Sequence, residues 1–91
     1  MLERRVKIVN RLGLHARAAA KLVKIAEEFQ SEIIVTNEKN HNSVDAKSIL
    51  CLLTLCASQG SELKIETNGI DEKEALERVE RIFVEGFGED N

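Results

Sequence analysis

The stretch Gly13–Arg17, with the sequence GLHAR, constrains the fold most, because one repeating pattern ends before it and another begins within it. From Glu3 to Asn10 apolar and polar residues alternate, which indicates a half-buried strand. From Ala16 onward apolar residues recur at steps of three and four, which predicts a helix that begins near Ala16 and ends around residues 29 to 30. His15 is therefore predicted to be the N-cap residue of that helix.

The predicted helix start is suited to binding an anion. The first turn of a helix leaves backbone N–H groups without intrahelical partners and carries about half a positive charge. A phosphate bonded to the His15 imidazole would meet these amides, and the guanidinium of Arg17 would add a planar, charged fork for the phosphate oxygens. Gly13 allows the preceding loop to take a positive φ and approach the ligand. The candidate site therefore comprises His15 as the phosphate acceptor and Ala16, Arg17 and Ala18 as phosphate-binding residues.

The middle of the chain predicts a hairpin followed by a short helix. β-Branched residues are frequent in Glu32–Thr36, a polar connection follows, and a weaker strand runs through Val44 and Asp45. Ser48 then precedes an apolar stretch, which we interpret as a helix with Ser48 as its N-cap. This stretch is too evenly apolar for a one-sided helix, so we expect part of it to be exposed.

The C-terminal part of the chain predicts a strand and then the clearest helix. Apolar and charged residues alternate in Glu62–Thr67, and Asp71 and Glu74 form a capping-box-like pair before a helical apolar stripe. We expect one domain over residues 1–91, with a core at about residues 3–84. Residues 85–91 are expected to form a frayed tail.

The predicted element order is strand, helix, strand, strand, short helix, strand and helix, which indicates an α+β fold with helices on one face of an antiparallel sheet. A chain of 91 residues has room for a single domain with a thin core. The formal net charge is −3, and the chain contains neither Trp nor Tyr. It therefore lacks the basic balance and the aromatic stacking surfaces of nucleic-acid binders, and we expect no nucleic-acid partner.

Cysteine usage and hydropathy predict a soluble cytoplasmic protein. Cys51 and Cys56 form neither a disulfide framework nor a C-x-x-C motif, and we expect both to be core or half-buried residues. With His15 and His41 they make no recognised set of zinc ligands, so no metal site is expected. We expect no secretory leader, and the apolar runs are too short to cross a bilayer, so no membrane insertion is expected either.

Two motifs together resemble the HPr family, the histidine phosphocarriers of the phosphoenolpyruvate-dependent phosphotransferase system. They are Gly13–Ala20 (GLHARAAA) and Ala46–Leu50 (AKSIL), and the resemblance runs from about Lys7 to Phe83. It implies an open-faced β-sandwich, in which three helices cover one face of a four-stranded antiparallel sheet. One departure is Ala18, where the family usually has proline; both residues are compatible with a first helical turn.

The resemblance implies a phosphocarrier that is not an enzyme and has no cofactor. Such a protein accepts a phosphoryl group from phosphorylated enzyme I on Nδ1 of His15 and passes it to enzyme IIA proteins. The alternative is a regulatory module of the nitrogen-related branch, NPr, whose phosphorylation state controls its partner proteins. A third hypothesis is a structural or metal-binding module, in which His15 only caps a helix and Arg17 is solvated. The sequence does not indicate which sugar or pathway is served, and we expect a monomer.

The resemblance also implies regulation and partner docking beside His15. The segment around Ser48 resembles the one that HPr kinase/phosphorylase recognises, so Ser48 is either a regulatory phosphorylation site or a plain N-cap. The apolar residues after it are either core or a docking patch, and nearby lysines form either a basic rim or a solvated helix face. The candidate docking residues are Ile49, Leu50, Leu53, Lys24 and Lys47, and Lys21 is a further candidate for the basic rim.

Overall fold

Residues 1–89, which the computed structural model describes, form a four-stranded antiparallel sheet and three α-helices. The order of the strands in the sheet is β1-β4-β2-β3. A short 3₁₀ turn at Gly86–Gly88 follows the last helix. The predicted fold and element order are confirmed. The elements are β1 (Leu2–Lys7), α1 (Ala16–Ala26), β2 (Glu32–Asn37), β3 (Asn42–Asp45), α2 (Ile49–Leu53), β4 (Glu62–Asn68) and α3 (Glu72–Val84).

The register of the sheet aligns its apolar side chains on one face. Val6 of β1 lies opposite Leu63 of β4, and Val35 of β2 lies opposite Ile65 of β4, and all four are buried. Because side chains alternate along a strand, this register directs the intervening charged residues to solvent. Helix α3 packs on β1 and β4, and α1 packs against α2 and α3.

Helix α1 ends at Ala26, before the predicted end at residues 29 to 30. Its last turn tightens, because Glu28 N donates to Ile25 O at 3.0 Å and Phe29 N donates to Ala26 O at 3.2 Å. These are i to i+3 hydrogen bonds, which commonly close the last turn of a helix. The apolar periodicity continued through Phe29 because that side chain still packs against the core from the turn.

Asp71 precedes α3, but the predicted capping box is wrong: its side chain makes no cap hydrogen bond to the helix. Its carboxylate instead accepts hydrogen bonds from Gln30 N and Ser31 N, both at 2.9 Å, and from Ser31 Oγ at 2.5 Å. The Ser31 hydroxyl and the Gln30 amide lower the pKa of Asp71 below its usual value. Asp71 thus ties the start of α3 to the connection between α1 and β2.

Cys51 and Cys56 are both exposed, which contradicts the prediction that they are core or half-buried residues. Helix α2 has five residues and can bury only one side, which Leu52 occupies. Cys51 therefore faces solvent from the other side of α2.

Among residues 1–89, no group of three or more His, Cys, Asp or Glu side chains could hold a metal ion. No helix within the same residues has the length and apolar character needed to span a membrane.

The prediction of a frayed tail is wrong for residues 85–89, which we call the C-terminal strap. Three consecutive positive φ angles, 61° at Gly86, 58° at Phe87 and 72° at Gly88, turn the chain back onto the domain. Phe87 is only 2% exposed, and its ring meets the ring of Phe83 edge to face with centroids 5.1 Å apart. Burying such a ring contributes roughly 1.5–3 kcal/mol, which offsets the cost of its left-handed backbone. Residues 90 and 91, which were also predicted to fray, lie outside the described residues.

Candidate functional site

The loop between β1 and α1 is fastened at Gly13 and Leu14. Gly13 N donates to Asn10 O at 3.2 Å, and Leu14 N donates to Ala57 O at 2.9 Å. Gly13 has φ +68°, and a Cβ there would lie 2.5 Å from Ala57 O. A glycine is therefore required both by the backbone conformation and by the close approach of the Ala57 carbonyl. The loop ends at His15 in a fixed orientation.

His15 is the N-cap of α1, as predicted. Its carbonyl oxygen accepts the hydrogen bond from Ala19 N at 2.8 Å, and its Nδ1 accepts one from Arg17 N at 3.2 Å. A backbone amide can only donate, so Nδ1 carries the lone pair and the ring proton is on Nε2. The side chain is 24% exposed, so the ring is accessible from one side.

The predicted phosphate-binding residues occupy the first turn of α1. The helix begins at Ala16, and the amides of Ala16, Arg17 and Ala18 precede the bond from Ala19 N to His15 O. Ala18 is fully buried, whereas Arg17 is exposed. Because Ala18 is in the first turn, its amide has no carbonyl four residues back within the helix, so the proline usual in the family would remove no helical hydrogen bond.

A depression of about 320 Å³ lies beside the start of α1. Three cationic side chains and one carboxylate line it, and the Nζ of Lys21 donates to Phe87 O at 2.7 Å. The cations and the N-terminal end of α1 both favour a negatively charged group. The residues that line the depression are Arg11, Leu12, Arg17, Lys21, Gly88 and Glu89.

Two residues at this site, Asn10 and Glu89, were missed by the sequence analysis. Glu89 Oε2 forms a short hydrogen bond with His15 Nε2, and Glu89 Oε1 accepts one from Asn10 Nδ2 at 2.9 Å. Asn10 Nδ2 also donates to Gly13 O at 2.8 Å. The Asn10 amide, and after it the hydrogen bond to His15, lower the pKa of Glu89 below its usual value. The two glycines that flank Phe87 were a signal for a turn that could have indicated the strap.

Ser48 is the N-cap of α2, as predicted, and its Oγ accepts a hydrogen bond from Cys51 N at 3.3 Å. Ile49, Leu50 and Leu53 project from α2 and are 38%, 74% and 38% exposed. Since α2 packs against α1, these apolar side chains belong to the part of the surface near the helix that His15 caps. Their role in docking stays a prediction.

The three candidate lysines differ in their surroundings. Lys24 is exposed in the last turn of α1. Lys47 is half-buried, and its Nζ donates to Phe29 O at 2.8 Å. That contact holds the segment before α2 against the end of α1, so Lys47 has a structural role beside any role in docking. Lys21, through its bond to Phe87 O, holds the C-terminal strap against α1.

Comparison with known proteins identifies the family of the chain. A family model described as "PTS HPr component phosphorylation site" matches residues 2–85. The chain belongs to the HPr family. HPr from Cupriavidus necator is 44% identical over 89 residues, which cover 98% of each chain. NPr from Proteus mirabilis is 45% identical over 89 residues, which cover 96% of each chain.

Solved structures agree with this assignment. The crystal structure described as HPr-C-His from Thermoanaerobacter tengcongensis superposes with a TM-score of 0.92 at 41% identity, and the match covers 100% of both chains. The HPr family consists of phosphocarriers of the phosphotransferase system. Its open-faced sandwich is the fold of this chain, and the resemblance that was drawn from the two motifs is confirmed.

Proposed function

We propose that the protein accepts a phosphoryl group from phosphorylated enzyme I on Nδ1 of His15 and passes it to enzyme IIA proteins, as a cytoplasmic monomer. The observation that carries the proposal is the position of Nδ1 at the N-terminus of α1, where it accepts the Arg17 amide. When Nδ1 attacks phosphorus, that amide is released from the lone pair. It then lies next to the new phosphoryl oxygens, to which it can donate.

Electrostatics supports the same reaction. Phosphoryl transfer passes through a loose, in-line transition state, so the protein contributes position and charge more than covalent chemistry. Arg17 and Lys21 line the depression beside His15, and the positive end of α1 points to the same place. The site stores the group on a nitrogen and returns it, so the protein acts as a carrier and needs no cofactor.

Helix α2 carries exposed apolar side chains that could form a docking surface for enzyme I and enzyme IIA. We propose that the exposed side chains of Ile49, Leu50 and Leu53 form its apolar centre and that Lys24 adds a positive edge. An apolar centre with a charged rim is a common arrangement for protein interfaces. The lysine would attract an acidic partner and raise the rate of encounter more than the final affinity.

A second candidate function is regulation in the nitrogen-related branch of the system. The observation that favours it is that the chain is as similar to an NPr, at 45% identity, as to an HPr, at 44%. In that case the same phosphorylation of His15 would control partner proteins instead of sugar uptake. Transfer assays with enzyme I and IIA proteins from each branch separate the two candidates by comparing rates.

We also propose that Ser48 is a regulatory phosphorylation site for HPr kinase/phosphorylase. Its hydroxyl stands at the start of α2, where a phosphate would gain the same backbone donors that the hydroxyl now uses. The fold should therefore tolerate the modification. The added charge would lie beside Ile49 and Leu50 and would oppose docking of an acidic, water-excluding partner surface.

The main test is incubation with phosphoenolpyruvate and enzyme I, followed by intact mass at neutral and at acid pH. The chain has two histidines, so His15→Ala has a matched control in His41→Asn, at an exposed hairpin residue with φ 59°. Asn tolerates such a left-handed conformation. We expect wild type and His41→Asn to gain one acid-labile phosphoryl group and His15→Ala to gain none. Labelling of folded His15→Ala at the wild-type level would refute the proposal.

A further inference from the structure

The two ring nitrogens of His15 have different partners, and one of these partners comes from the C-terminal strap. Nδ1 accepts the Arg17 amide, whereas Nε2 contacts Glu89 Oε2. A neutral imidazole has one donor and one acceptor nitrogen, and these two partners fit only the form with the proton on Nε2. The carboxylate thus binds the nitrogen that does not react in the proposed function.

Glu89 is held in this position by Asn10, which is fully buried. The Asn10 Nδ2 donates both to Glu89 Oε1 and to Gly13 O, so its two hydrogens join the strap to the loop before His15. Within residues 1–89, Asn10 Oδ1 is buried without a hydrogen-bond partner. The opposite orientation of the amide would place that oxygen against two acceptors, so the donor orientation is fixed by its neighbours.

The backbone of the strap fixes Glu89 from the other side. Phe87 is buried, its carbonyl accepts from Lys21 Nζ, and Glu89 N donates to Gly86 O at 3.1 Å. The side chain of Glu89 is 14% exposed. Glu89 is therefore delivered to His15 by a folded turn and a buried aromatic anchor, in contrast to a surface carboxylate that meets a histidine by chance.

We propose that Glu89 is a positioning residue for His15. Its carboxylate keeps the proton on Nε2, which leaves the lone pair on Nδ1, and it balances the positive charge that the ring gains during transfer. The inference rests on the proposed function. In many hydrolases a carboxylate orients the histidine that activates the nucleophile. Glu89 would play the corresponding part in phosphoryl transfer, where the histidine is itself the nucleophile.

The transfer step balances without a further reactant. The Nδ1 lone pair forms the new N–P bond as the bond between phosphorus and the donor atom of enzyme I breaks, and that donor atom keeps the electron pair. The Nε2 proton stays in place throughout. The His15 ring then has a substituent on each nitrogen and is cationic, and Glu89 faces it through the Nε2 proton. Transfer to the acceptor reverses the step and restores the neutral ring.

Glu89 and the phosphoryl group would lie at different nitrogens of the His15 ring. The carboxylate lies at Nε2, and the phosphoryl group would lie at Nδ1, next to the amides of the first turn of α1. Arg17 and Lys21 line the depression that Glu89 also lines, so positive charge surrounds both anions. Repulsion between the carboxylate and the incoming group is thereby reduced.

The first test is NMR of the histidine ring in protein labelled with ¹⁵N, without enzyme I. In the full chain we expect a slowly exchanging Nε2–H signal from His15, assigned by its absence in His15→Ala. Glu89→Ala should lose the signal, because water then exchanges the proton. Glu89→Gln should weaken it, because Gln has only one amide oxygen, and its NH2 group must then face one of the two donors, His15 Nε2 or Asn10 Nδ2. Glu85→Ala, at an exposed carboxylate in the same strap, is the matched control and should resemble wild type.

The second test is the rate of phosphoryl acceptance from phosphorylated enzyme I. We expect Glu89→Ala to slow it on the order of 10-fold, the lower end of the effect seen when a carboxylate that orients a metal-bound histidine is removed. Glu89→Gln should fall between Ala and wild type, since it retains one acceptor oxygen for His15 Nε2 or Asn10 Nδ2 and loses the charge. Glu85→Ala should match wild type. The ranking distinguishes positioning from a general loss of structure.

Several results would overturn the inference. An Nε2–H signal that is unchanged in Glu89→Ala would show that the carboxylate does not hold the proton. Faster acceptance by Glu89→Ala would show that the carboxylate competes with the incoming phosphoryl group. If wild type accepts no phosphoryl group at all, the proposed function fails and the role in transfer fails with it, while the NMR result still decides whether Glu89 fixes the ring.

Discussion

Replacing Gly13 with alanine should destabilise the protein more than the same change at another left-handed glycine. The new Cβ would lie 2.5 Å from Ala57 O and 2.9 Å from the Cα of Ser58, and both are backbone atoms that cannot rotate away. Gly60 is the matched control: its φ is +90°, and a Cβ there would meet nothing within 4 Å. Gly60→Ala therefore measures the cost of the left-handed backbone alone, and the extra loss in Gly13→Ala measures the cost of the collision.

The magnitudes follow from these contacts. Gly60→Ala should lower the free energy of unfolding by about 1–2 kcal/mol, the cost of a left-handed conformation for a residue with a Cβ. Gly13→Ala adds the collision, which must displace Ala57 O from Leu14 N and so loses a hydrogen bond of about 1 kcal/mol. The total is about 2–3 kcal/mol, and for a domain of this size each kcal/mol lowers Tm by roughly 4–8 °C.

Urea unfolding at neutral pH, followed by circular dichroism, measures both variants. Because the Gly13 loop ends at His15, phosphoryl acceptance should also fall in Gly13→Ala and remain normal in Gly60→Ala. Equal losses of stability in the two variants would refute the reasoning, since they would show that the approach of Ala57 O is not what requires glycine at residue 13. Normal acceptance by Gly13→Ala would show that the loop can shift without moving His15.

Two further predictions concern Asp71 and Ser48. The pKa of Asp71 is lowered in the folded state, so its contribution to stability is present above the usual pKa of an aspartate and is lost as pH falls through the lowered value. The gap in urea midpoint between wild type and Asp71→Asn should therefore shrink from neutral pH to about pH 3, and a constant gap would contradict the assignment. Ser48→Asp should weaken binding to enzyme I with little change in Tm, measured by titration at low and moderate salt; equal affinities at low salt, where repulsion is least screened, would leave Ser48 as a cap only.

The sequence predicted those parts of the fold that local patterns determine. The start of α1 at Ala16 and the N-cap roles of His15 and Ser48 follow from periodicity and from residues next to each other in the chain. Strand order could not be read in this way, because the pairing of β1 with β4 depends on contacts between distant segments. The two motifs supplied that information only through the family resemblance.

The errors at Asp71 and in the C-terminal strap arose where a residue had a distant partner. Asp71 has the spacing of a helix cap, but Ser31 and Gln30 compete for its carboxylate, and they are remote in sequence. The composition of the glycine-rich segment after α3 predicts a flexible tail, and the sequence gives no sign that Phe87 is buried. For the same reason Glu89 gave no local signal of its contact with His15, which lies at the other end of the chain.

The order of the strands also has a consequence for how the chain is made. Leu2 pairs with Thr67 and Lys7 with Glu62, so, among residues 1–89, β1 has β4 as its one neighbour, although β2 and β3 lie between them in the sequence. During translation β1 cannot dock until β4 has emerged, and its apolar residues remain without their partners for most of that time. Closing so long a loop favours folding in milliseconds or slower, compared with microseconds for a helical bundle. His15 is synthesised well before Glu89, so their contact can form only after Glu89 has left the ribosome.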